Sequence, residues 1–173
     1  MTHNHAEKEL IKKLKTGRED VILQALKEIR ESGNSTILPA IMALLKDEEL
    51  TEAIANAIFN ILNDLNEQSS VDVFMRDLSG YEKEDCFHKL IASCWQNGLD
   101  YSAHMAYFIN VALKKDYNSA FEALTVIDEN ITSLDDKERT DLVSKIDLVK
   151  DNIPEDKKAL INELKKIIKP SPE

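Results

Sequence analysis

The side chains in this sequence best suited to metal or nucleophilic chemistry are four histidines and two cysteines. His3 and His5 stand two apart near the amino terminus, a spacing that binds metal weakly and also arises by chance. His88 and His104 belong to different apolar-periodic stretches, and neither has a recognisable ligand partner nearby in sequence. Cys86 with His88 lacks zinc-ligand spacing, and the second pair that a zinc site needs is missing. Cys86 and Cys94 lie eight apart on one expected helix. That is about 12 Å along a helix axis, whereas a disulfide needs Cα atoms within about 7 Å. No phosphate loop, dinucleotide fingerprint or nucleophile motif is present. The sequence therefore assigns no catalytic residue, no cofactor and no metal.

Carboxylates cluster twice. Asp47, Glu48, Glu49 and Glu52 form one set, and Glu82, Glu84 and Asp85 recur one unit later. Such sets attract a basic partner or a divalent cation. They also complement the free N–H groups and dipole at helix starts, which is the ordinary use of acids there. The internal glycine of a calcium loop is absent.

Adaptable hydrogen bonding is the remaining chemistry. Gln24, Glu28 and Glu31 share i, i+4, i+7 spacing, as do Asn56, Asn60 and Asn63, and Lys89, Ser93 and Gln96. Each trio lies along one face of a helix. Asn56 and Asn60 stand out because their stretch is otherwise almost wholly apolar and Asn is a poor helix former. The trios are either a partner-binding face or the solvated side of each helix. Trp95, Tyr101, Tyr107 and Phe108 form an aromatic group suited to anchoring an interface or to filling a core, and core packing is the expected role.

Helices must position all of these. Apolar periodicity predicts helices over about 5–16, 19–32, 36–46, 50–65, 69–79, 83–97, 101–115, 118–131, 136–151 and 154–168. Gly17, Gly33, Gly80 and Gly98 each follow such a run, as left-handed C-terminal caps do. Pro39 and Pro154 fall in first turns, where a missing N–H costs little. Ser119 and Glu122 have capping-box spacing. No stretch alternates with period two, so no sheet is expected.

Composition bounds the partners. Of 173 residues, 43% are hydrophobic, enough for a core. The net charge is −10, and residues 47–100 hold twelve acids against three bases. A nucleic-acid binder carries a basic stripe, and this chain has none. The charge repels nucleic acid and anionic lipid alike. No apolar run reaches the roughly 18 residues of a membrane span, and the polar amino terminus lacks a signal-peptide core. A cytoplasmic protein is expected. Asn34-Ser35-Thr36 and Asn130-Ile131-Thr132 match the glycosylation pattern only by chance in that setting.

The helices pair, and the pairs repeat. Aligning the second helices on Ala25, Ala57, Leu90 and Leu124 gives steps of 32, 33 and 34 residues and brings Ile22, Ile54, Phe87 and Phe121 into register. First helices align on Ile41, Phe74 and Phe108, followed by Leu45, Leu78 and Ala112. Residues 37–64, with L-P-A-I-x-x-L-L-K-D, an acidic turn and E-A-I-x-x-A-I-x-x-I-L, resemble a HEAT repeat. The likeness extends over 18–131. It departs from the pattern in lacking the arginine common early in the second helix, and in the bulk of Phe59 and Trp95.

The resemblance implies an all-α, right-handed α-solenoid of about five antiparallel hairpins. The expected organisation is a single helical-repeat domain over 1–173. It comprises an N-terminal helix (1–17), HEAT-like hairpins (18–131), a capping hairpin (133–168) with Leu142, Ile146, Val149, Leu160, Leu164 and Ile167 inward, and a tail (169–173). Such folds most often bind protein, with second helices lining the concave side. The expected function is a non-enzymatic scaffold or adaptor for an unidentified protein or peptide, through Gln24, Glu28, Asn56, Asn60, Asn63, Lys89, Ser93 and Gln96. HEAT-like folds also include modules similar to bilin lyases and to DNA glycosylases. The acidic charge weighs against the latter.

Overall fold

The computed structural model describes residues 3–32, 35–149 and 152–169. Gly33, Asn34, residues 170–173 of the tail and the side chain of His3, all noted above, lie outside what is described. Ten α-helices and no strand occur among the described residues. The helices are α1 (His3–Leu14), α2 (Glu19–Ser32), α3 (Leu38–Ala43), α4 (Glu52–Asn63), α5 (Ser69–Leu78), α6 (Phe87–Gln96), α7 (Met105–Lys114), α8 (Tyr117–Asn130), α9 (Asp136–Asp147) and α10 (Lys158–Ile168). The chain is all-α, and each expected helix has a counterpart. None of the described helices is long and apolar enough to cross a membrane. The chain divides into two compact units, Met1–Cys86 and Phe87–Glu173.

In the first unit, α2 packs on α1 and α4, while α3 packs on α1 and α5. The reason is legible in the stripes. On α2, Ile22, Ala25, Leu26 and Ile29 are buried, and on α4, Ile54, Ile58, Ile61 and Leu62 are buried. Burying an aliphatic side chain of this size contributes about 1.5–3 kcal/mol, an upper estimate for a realistic unfolded chain. Arg30 pairs with Asp64 and so ties α2 to the end of α4. The Thr51 side chain caps α4 by accepting from the Ile54 N–H at 3.3 Å. Gly17 closes the end of α1 with φ 68°, as expected.

Gly80 departs from the expectation. It does not take the left-handed conformation but continues α5 through a 3₁₀ turn, Ser79–Tyr81. Its carbonyl accepts from Lys46 Nζ at 2.8 Å, and the same ammonium sits 4.2 Å from the centre of the Tyr81 ring.

In the second unit, α8 packs on α6, α7 and α10, and α9 packs on α7 and α10. Ala120 and Ala123 are fully buried in α8, and their small side chains let three neighbouring helices approach. This corrects the register expected for α8. Phe121 is 49% exposed, and Ala120, Ala123 and Ile127 take the core positions instead. Phe87, Leu90 and Cys94 are then matched at a step of 33, not 34. The expected first-helix core positions Ile41, Phe74, Phe108, Leu45, Leu78 and Ala112 are all buried. The start of α8 also differs from expectation. Asp116 is its cap, accepting from the Ser119 N–H at 3.0 Å and the Ser119 hydroxyl at 2.7 Å. A capping box does occur at α9, between Asp135 and Glu138.

At the carboxyl end, Leu142, Ile146, Leu160 and Leu164 are buried as expected. Val149 and Ile167 are half-buried, and Ile168 and Ile161 fill the core beside them. Within each unit, helices pack on both their sequence neighbours and their alternates, an arrangement compatible with a helical repeat.

Candidate functional site

The polar trios begin with the helical wheel. On α4 the apolar stripe Ile54, Ile58 and Ile61 fixes the buried side, and at 3.6 residues per turn Asn56, Asn60 and Asn63 fall opposite it. Asn56 and Asn60 are exposed, and Asn63 is half-buried. The side chains of Asn56 and Asn60 make no hydrogen bond to another described residue.

Gln24 and Glu28 hold the equivalent places on α2, which packs against α4. They are already engaged. Lys13 Nζ donates to both carboxylate oxygens of Glu28, at 2.8 and 3.1 Å, and Gln24 Nε2 donates to Oε1 at 3.2 Å. The Lys13 hydrogen bond, followed by that of Gln24, holds the Glu28 carboxyl below its ordinary value. Glu31 is exposed.

The third trio lies in the second unit. Lys89 and Gln96 are exposed. Ser93 is 1% exposed, and its hydroxyl donates to the Lys89 carbonyl at 3.2 Å. It lies beneath the surface, on a helix that packs against α8. Polar type and helical spacing did not reveal that α6 is covered over a wider arc than α2 or α4.

The acidic sets serve the local backbone in part. Asp47 Oδ1 accepts from the Glu49 N–H at 3.0 Å, and a threonine, not an acid, caps α4. Among the described residues no three His, Cys, Asp or Glu side chains gather as metal ligands do. Neither Cys86 nor Cys94 is in a disulfide, and burial pushes the Cys94 thiol up strongly.

The aromatic group is largely core. Tyr101 and Phe108 are fully buried and meet edge to face, with ring centres 6.0 Å apart. Trp95 Nε1 donates to Glu122 Oε2 at 2.8 Å and so joins α6 to α8. Periodicity gave no sign of two other polar residues at work here. Asn130, 6% exposed, accepts from the Tyr101 N–H at 2.7 Å and donates to the Val126 carbonyl at 2.8 Å. Lys157, 4% exposed, reaches the carbonyls that end α7. Buried polar side chains need such partners, so each had to be hidden for a reason.

Asn56 and Asn60 thus leave hydrogen-bonding capacity open along one edge of α4, a helix that packs against the one carrying Glu28. No protein-family model, no curated protein and no solved structure matches this chain.

Proposed function

We propose that each unit is a stretch of HEAT-like α-solenoid, built with its companions into about five antiparallel hairpins. In this reading the chain is a non-enzymatic binding module, and a protein or peptide lies along the polar side of the second helices. The packing of alternate helices within each unit supports the repeat. The observation that carries the binding role is the Asn56–Asn60 pair, exposed on an otherwise apolar helix and bonded to no described side chain. Two amides one turn apart offer donors and acceptors to an extended backbone at little rearrangement.

The test is the affinity of a purified partner for the double variant Asn56→Ala, Asn60→Ala. Binding weaker by about fivefold or more, at an unchanged melting temperature, is the expected result for an interface residue pair. Unaltered affinity returns these residues to an ordinary solvated face.

A further inference from the structure

The buried alanines of α8 fix its outer side. Ala120, Ala123 and Ile127 face the core, and Tyr117 and Phe121 fall on the other side, each 49% exposed. Leu124 is half-buried and Asp128 is exposed along the same line. The four stand at i, i+4, i+7 and i+11, the spacing at which one helix receives another. Aromatic side chains left outside a core are common anchors of an interface.

The charge of this face is one-sided. The helix carries Glu122, Asp128 and Glu129 and no base. Glu122 is taken by Trp95 Nε1 at 2.8 Å. Asp128 and Glu129 are exposed and make no side-chain hydrogen bond or ion pair among the described residues. They stand in the last turn, where the helix dipole favours cations, so they oppose the local field. Glu129 also borders a cleft of about 190 Å³ together with Asp100. Its walls are drawn from 94–100 and 129–133, where α6 ends as well as α8, and neither helix has a base in its last turn. Arg139 is committed to the Ile131 and Leu134 carbonyls, at 2.8 and 3.3 Å. On α10, which also packs on α8, Lys158, Lys165 and Lys166 each pair with an acid.

We propose that the outer face of α8 docks an amphipathic helical segment of a partner protein, apolar along one side and basic at one end. Its apolar residues meet Tyr117, Phe121 and Leu124, and its basic end meets Asp128 and Glu129. The aromatics select apolar side chains. The unpaired acids select a cationic end over an anionic one and so set the direction in which the segment lies. This face belongs to the second unit and does not rest on the Asn56–Asn60 reading.

The test is titration of the full chain with a synthetic helical peptide, followed by amide chemical shifts. The peptide has leucines along one side and arginines at its carboxyl end, where its own dipole favours them. Saturable shifts at Tyr117, Phe121, Leu124 and Asp128 are expected. Phe121→Ser weakens binding about fivefold or more at an unchanged melting temperature. Asp128→Asn with Glu129→Gln weakens it about threefold and reduces its dependence on salt. Four results overturn the proposal: no saturable shift at these residues; undiminished affinity in Phe121→Ser; equal affinity for a peptide with glutamates in place of the arginines; or perturbation of the same residues by raising protein concentration alone, which identifies a second copy of the chain as the occupant.

Discussion

The ammonium of Lys157 stands 2.8 Å from the carbonyl oxygen of Lys115, one residue past the end of α7. It also donates to the carbonyls of Leu113 and Ala112, at 2.8 and 3.2 Å. The last carbonyls of a helix lack partners within it, and a cation there complements the dipole. Burial lowers the Lys157 pKa, against the opposing pull of Asp156 and Asp116. One side chain thus closes α7 from the first turn leading into α10.

Replacing Lys157 by Met keeps most of its apolar stem and leaves those carbonyls unpaired. A loss of about 2–4 kcal/mol is expected, in the range for hydrogen bonds to charged groups and orphaned buried partners. Urea denaturation measures it. A change below about 0.5 kcal/mol, the scale of a neutral surface substitution, contradicts the cap.

Asn130 offers a second case of the same kind. Asn130→Ala removes the acceptor of the Tyr101 N–H in a fully buried setting. A cost of about 1–3 kcal/mol follows from leaving that donor unsatisfied. Hydrogen exchange at the Tyr101 amide, faster in the variant than elsewhere in the unit, locates the effect. Uniformly unchanged exchange refutes it.

The corrected register of α8 separates two neighbours sharply. Phe121→Ser, at a half-exposed position, changes stability by no more than about 0.5 kcal/mol. Ala123→Leu overfills the space between α8 and the helices around it, and destabilises by about 1–3 kcal/mol. Thermal melts of the two variants rank them. The reverse order restores the step of 34 residues read from the sequence.

Alkaline pH acts through buried phenols. Burial pushes the Tyr81 pKa up from 10.0 to about 12, with Asp77, Cys86 and Glu84 adding to the shift. Burial drives Tyr101 upward as well. The folded state favours the neutral phenol, so this stability is complete below the ordinary value of 10.0 and is lost as pH rises through about 12. Urea midpoints measured across the alkaline range should fall over that window, and Tyr81→Phe should flatten part of the decline. A slope identical in the variant assigns the effect to other groups.

Much of the fold was legible because helices announce themselves locally. The stripes Ile22–Ala25–Leu26–Ile29 and Ile54–Ile58–Ile61 name their own buried side, and Gly17 and Gly98 mark their turns with positive φ. What failed depended on neighbours distant in sequence. Phe121 looked like core because its spacing matched Phe87, yet three helices converge on the alanine side of α8. Gly80 looked like a cap until Lys46 took its carbonyl. Ser93 looked like surface, yet it is buried. Lys157 is indistinguishable in pattern from Lys158 beside it, and only the end of α7 sets it apart. The polar trios were legible as faces, since a wheel places Asn56 and Asn60 opposite the apolar stripe. Their use is not encoded by periodicity, because a solvated face and a contact face have the same spacing.

The contact role of that face is tested most directly by site-specific photo-cross-linking in cells. A photoreactive residue replaces Asn60 in one sample and Ala43, exposed on α3, in another. The expected result is a discrete adduct from position 60, absent from position 43 and diminished when Asn56 is also changed to Ala. No adduct at position 60, or the same adducts from both positions, contradicts a binding surface on α4.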